Sequence, residues 1–189
     1  MVSPIGSFFS ACSEIMDHLY LGGYGCADAA SLERLRIQVV VDATNISKRR
    51  LPQSVDYIKV PVDDSEFDSL EPYFDAVADR IRRAKLNNEK VLVHCAAGIS
   101  RSTSLCLAYL MKYENMTLRQ AYFFIHDKRP IIAPNFGFWR QLIAYEKKLL
   151  GENTVHMIRP RAREIPDVYL AESRYSTPKQ SQTKSLSSL

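Results

Sequence analysis

KVLVHCAAGISRSTSLCLAYLM, residues 90–111, runs from a short apolar stretch through one cysteine, a small-residue turn and one arginine into a second apolar stretch. Residues 90–95 are few and rich in valine and leucine, which suits a strand covered on both faces. Residues 102–113 fill about three turns of helix and are so apolar that the helix must lie largely inside a domain. Between them the chain turns from strand to helix through Ala96, Ala97, Gly98, Ile99 and Ser100. A tight turn of this kind aims successive backbone N–H groups at one point, where the positive end of the following helix also lies. Gly98 allows a turn that a side chain would obstruct, and Ala96 and Ala97 keep the cradle narrow and uncharged.

Cys95 stands at the mouth of this cradle and Arg101 six positions later. Taken singly, a buried cysteine at a strand end is a packing residue and an arginine at a helix start is a surface charge. Together, with glycine between them and Ser102 after, they form an anion site with a nucleophile in it. Lowering a thiol from roughly 8.5 to about 5.5 takes roughly 4 kcal/mol. A helix dipole supplies only ~0.3–2 kcal/mol. Amide hydrogen bonds to sulfur and the cation of Arg101 are therefore expected to provide the rest. Arginine can also hold two phosphoryl oxygens in a planar fork, which lysine cannot copy. His94 is expected to orient the loop from inside the core rather than to move a proton. Cys12, Cys26 and Cys106 are expected to be structural.

Outward from this stretch, strand and helix alternate. Strands are expected at 18–21, 37–44 and 56–62, the last two separated by a polar loop containing Lys48, Arg49 and Arg50. Helices are expected at 28–36, with Leu32 and Leu35 inward, and at 70–86, where Phe74, Val77, Ala78 and Ile81 recur at helical spacing. Thr117 and Gln120 read as a capping box opening a helix through Lys128, which Pro130 stops. A last helix covers 135–150, with Trp139, Leu142, Ile143, Leu149 and Leu150 as its buried side. The class is α/β: a single domain with a central, mostly parallel sheet flanked by helices. Its bounds are read as an extension over 1–13, the domain over 14–150, a segment over 151–173 able to pack back on it, and a disordered tail over 174–189.

Composition sets the frame. The chain has 189 residues, 46% of them hydrophobic and 10% aromatic, enough for one ordinary core. The four cysteines show neither CxxC spacing nor neighbouring paired histidines, so no metal site, no cofactor and no disulfide framework is expected. A net charge of +4, spread along the chain, argues against nucleic acid as the main partner. The first residues make a poor signal peptide, Val2 stands where myristoylation needs glycine, and no apolar run reaches the ~20 residues of a membrane span. The expected location is the cytoplasm, with the nucleus as the alternative.

HCAAGISRS (94–102) matches the HCxxGxxR[ST] signature of the protein tyrosine phosphatase superfamily, and AGISRS followed by AYLM (108–111) resembles its dual-specificity branch. RPIIAPNFGFW (129–139) is similar to the RPxxxPNxGFW segment of the small atypical members, and TVHM and IPDVY further on resemble a subgroup of these. The resemblance covers residues 14–150 and implies a protein tyrosine phosphatase-like fold with phosphorylated proteins as substrates. It implies that Cys95 attacks phosphorus, that the amides of Ala96 to Arg101 and the Arg101 side chain hold the phosphoryl oxygens, and that Ser102 stabilises the departing thiolate. It also implies an acid about 30 residues before the cysteine. Asp64 fits that position, Asp63 is the runner-up, and Asp68 comes third. Asn135 matches an asparagine that buttresses the phosphate loop, and a plain helix cap explains it as well. Two rivals remain open at this point: a noncatalytic phosphoprotein-binding module, and a targeting role for the Ser/Thr-rich tail beside catalysis. The loop between Cys95 and Arg101 lacks the lysines that lipid phosphatases of the superfamily place there.

Overall fold

The computed structural model describes residues 11–47 and 51–170. Lys48, Arg49 and Arg50 and the tail over 174–189 lie outside the described residues. Strands β1 (Ser13–Met16) and β2 (Leu19–Gly22) are followed by a 3-10 turn (Tyr24–Ala27), helix α1 (Ala29–Leu35) and strands β3 (Ile37–Asp42) and β4 (Asp56–Lys59). Helix α2 (Phe74–Leu86), strand β5 (Lys90–His94) and helices α3 (Arg101–Tyr113), α4 (Leu118–Lys128) and α5 (Phe136–Leu150) complete the main body. A short hairpin, β6 (Met157–Ile158) and β7 (Ile165–Pro166), closes the described chain.

The sheet order is β1-β2-β5-β3-β4, with β1 antiparallel to β2 and every other pairing parallel. Strand β5 is therefore the centre, and side chains alternate across it. Val91 and Val93, with Val39, Val41, Leu19 and Leu21 of the neighbouring strands, face the core built by α2, α3, α4 and α5. Leu92, Val40 and Tyr20 face the other side, where Leu32 of α1 covers them. The α/β class with a central, mostly parallel sheet holds. Every residue of α3 from Arg101 to Met111 is buried, as its composition required. The helix over 117–128 opens on the expected capping box of Thr117 and Gln120.

Three expectations need correction. The strand expected over 56–62 ends at Lys59. Pro61 has no N–H to give, and Val62 donates its own back to the Val60 carbonyl at 2.9 Å, which turns the chain out of the sheet. Leu150 is exposed, at 42%, because the helix ends there on left-handed Gly151. Ser13 belongs to strand β1 rather than to an extension; this strand has only four residues, and its buried positions are a serine and an isoleucine, so its inward face does not read as apolar in the sequence. Residues 151–170 do pack on the domain: Val155 and Val168 are fully buried, and Trp139 Nε1 donates to the Tyr169 hydroxyl at 2.9 Å. Among the described residues no helix is long and apolar enough to cross a membrane.

Candidate active site

The loop after β5 has its carbonyls tied outward one by one. Tyr24 N–H donates to the Ala96 carbonyl at 3.0 Å and Ala133 N–H to that of Ile99 at 3.0 Å. Arg129 Nη2 donates to the Ala97 carbonyl at 2.9 Å and its Nε to that of Gly98 at 2.8 Å. The Ser100 carbonyl accepts from Ser104 N–H and Oγ at 2.9 Å, inside α3. A trans peptide points its N–H opposite to the preceding carbonyl. Five carbonyls drawn outward therefore turn the amides of residues 97–101 inward, onto one point beside the cysteine. Gly98 is required twice over: its φ is +69°, and a Cβ there would lie 2.5 Å from the Gly22 carbonyl carbon.

Cys95 is 1% exposed, and its Sγ accepts from Gly98 N–H at 3.2 Å and from Ser102 Oγ at 3.2 Å. Burial pushes the thiol up, but the Ser102 hydroxyl and the amides of Ser102, Ile99 and Gly98 outweigh it, and the group ends below its ordinary value. The hydrogen bonds of Arg101 go elsewhere. Its Nη1 donates to the Val62 carbonyl at 3.2 Å, and its Nε is buried without a hydrogen-bond partner among the described residues, 3.8 Å from Asp64 Oδ2. A buried N–H left unpaired costs ~1–3 kcal/mol, which an arriving oxyanion would recover.

Asp64 leans over this arginine, and two groups fix its Oδ1: Ser100 Oγ donates at 2.6 Å and Asn135 Nδ2 at 2.8 Å. Asn135 Oδ1 also caps α5 by accepting from Phe138 N–H at 2.9 Å, and the Asn135 backbone N–H donates to Ser100 Oγ of the loop at 3.0 Å. Asp63 is turned the other way, accepting from Asn45 Nδ2. Asp68 accepts from the Asp63 N–H at 2.9 Å and so holds the loop to itself. Of the three aspartates, only Asp64 is brought to Arg101.

A nucleophilic sulfur ringed by amides, a buried arginine with a free N–H and a carboxyl at the mouth make an oxyanion site with an acid. The family profile of the dual specificity phosphatase catalytic domain matches residues 19–148. The chain belongs to the dual specificity phosphatase family. It is 44% identical over 168 residues to human dual specificity protein phosphatase 14, covering 88% of this chain and 84% of that one. It is 42% identical over 170 residues to bovine dual specificity protein phosphatase 18, covering 89% and 90%. Among solved structures it resembles human DUSP28, with a TM-score of 0.70 at 28% identity, covering 78% of this chain and 97% of that one. It also resembles the human tyrosine phosphatase-like serine/threonine/tyrosine-interacting protein, with a TM-score of 0.69 at 30% identity, covering 74% and 97%.

Within this phosphatase fold, His94 is 2% exposed, with Nδ1 3.4 Å from the Cys95 carbonyl and Nε2 3.9 Å from Asp42 Oδ1. It sits under the loop, beside Asp42. Cys106 is fully enclosed in α3, and burial pushes its thiol up. Sequence reasoning missed Arg129, which is 0% exposed and also donates through Nη1 to the Ala11 carbonyl and Ser13 Oγ, both at 3.2 Å. The RP dipeptide at 129–130 was the available signal, and it reads as a helix stop.

Proposed function

We propose that the chain hydrolyses phosphate monoesters of tyrosine, serine and threonine side chains in proteins, with Cys95 as nucleophile. Cys95 sulfur forms a bond to phosphorus while the ester P–O bond breaks, and the leaving side-chain oxygen takes the proton of Asp64. The inward amides and Arg101 hold the three equatorial oxygens throughout. Water then attacks the thiophosphoryl group, Asp64 takes its proton, and the sulfur leaves as a thiolate that the Ser102 hydroxyl stabilises.

The observation that carries this reading is the union of one sulfur, five inward amides and one carboxyl held over the same arginine. A noncatalytic binding module would need the cradle but neither the lowered thiol nor the fixed carboxyl. The test is leaving-group dependence. Asp64→Asn is expected to slow phosphopeptide turnover by ~10²–10³ while slowing nitrophenyl phosphate turnover far less, because nitrophenolate departs without a proton. Asp63→Asn is the control, since its carboxyl faces Asn45. The dependence appearing in Asp63→Asn instead would move the acid by one residue.

A further inference from the structure

The hairpin loop between β6 and β7 reads Arg159-Pro160-Arg161-Ala162-Arg163-Glu164, and its three arginines are exposed. It stands beside the pocket mouth. The Arg163 guanidinium lies 4.5 Å from the centre of the Phe136 ring, the residue after Asn135, whose amide holds Asp64. Arg163 Nη2 is also 3.7 Å from Glu66 Oε1, and Arg140 Nη1 is 3.8 Å from Glu66 Oε2. Glu66 is two residues past Asp64, so the two backbones are at most ~7 Å apart. Arg140 Nη2 in turn pairs with Glu164 at 2.8 Å. Arg140 and Arg163 thus pair with two glutamates. Arg159 and Arg161 make no ion pair or hydrogen bond with a described residue.

We propose that this hairpin is a specificity surface that binds an anionic residue of the substrate protein flanking the phosphorylated side chain. The proposal rests on the reading of Cys95 and Asp64 above and adds a second contact outside the pocket. An extended peptide advances ~3.3 Å per residue. With its phosphoryl group under Asp64, a peptide can lay residues two to five positions away across ~7–17 Å of surface on the side where Arg163 stands. Guanidinium groups suit either a second phosphate or a carboxylate, and both present paired oxygens to the fork.

The test uses the full chain and three phosphotyrosine peptides of one core sequence, carrying a neutral flank, a glutamate flank or a second phosphoresidue three positions away. The wild-type enzyme is expected to prefer at least one anionic flank by about tenfold in kcat/KM, mostly through KM, and to lose this preference in high salt. Arg159→Glu with Arg161→Glu is expected to abolish it while leaving nitrophenyl phosphate turnover unchanged. The two anionic peptides separate a phosphate from a carboxylate as the favoured partner. Equal kcat/KM for all three peptides, or a preference that survives the double variant, would overturn the proposal. So would competition by single-stranded RNA through these two arginines with no effect of the flanks. Peptide affinities for Cys95→Ser protein give the same comparison without turnover, so a failure of the chemistry and a failure of the surface read out separately.

Discussion

Removing the Arg129 guanidinium while keeping an unbranched apolar stem, as in Arg129→Met, tests whether the loop amides are aimed from outside the pocket. One side chain makes four hydrogen bonds, to the carbonyls of Ala97, Gly98 and Ala11 and to Ser13 Oγ, from a fully buried position. Leaving buried carbonyls without a donor costs ~1–3 kcal/mol each, so the Ala97 and Gly98 carbonyls together imply a loss of ~2–6 kcal/mol. A domain of this size has ~5–15 kcal/mol to lose, and urea melts should register the drop below complete unfolding at low temperature. The catalytic effect is separate from this. The amides that follow the two carbonyls belong to Gly98 and Ile99, and both lower the Cys95 thiol. One displaced oxyanion donor costs ~10²–10³ in kcat, and kcat/KM should fall by that amount. The thiol should also rise toward its ordinary value, so the acidic limb of Cys95 inactivation by iodoacetamide moves to higher pH. Arg129→Lys is expected to recover part of the stability but little of the thiol shift, because one ammonium cannot span both carbonyls. A folded Arg129→Met protein with unchanged kcat/KM and an unchanged thiol titration would refute the outward-tether account.

The remaining expectations concern the site itself. Arg101→Lys keeps the charge but loses the fork and the free Nε, so both binding and turnover of phosphopeptides should fall steeply, by ~10² or more in kcat/KM; near-normal activity would remove bidentate clamping as the reason for arginine. Brief peroxide treatment should label Cys95 as sulfenic acid and stop turnover, added thiol should restore it, and mass spectrometry should find Cys106 unmodified, since burial holds its thiol protonated. Oxidation of Cys106 with activity retained would contradict the assignment.

What could be read from sequence was what is local in sequence. The turn from β5 into α3 declares itself because strand, glycine and buried helix lie within 24 consecutive residues, 90–113. The capping box at Thr117 and the Asn135 cap declare themselves for the same reason, within three residues of their partners. Asp64 came from a resemblance, and spacing alone left Asp63 beside it; what separates them is direction, Ser100 and Asn135 on one carboxylate and Asn45 on the other. Arg129 was illegible because its partners lie 31, 32, 116 and 118 residues away, and because a fully buried arginine contradicts the usual expectation for that side chain. The tethers from Tyr24 and Ala133 were illegible for a deeper reason. They are made by backbone N–H groups, which nearly every residue type carries, so no side-chain pattern marks them. The nucleophile and its arginine are thus written in one motif, whereas the aiming of the amides around them is distributed over the 3-10 turn, the α4–α5 connection and the first turn of α3. Replacing Tyr24 or Ala133 by proline removes the donor and should damage the chemistry without touching any residue of the motif.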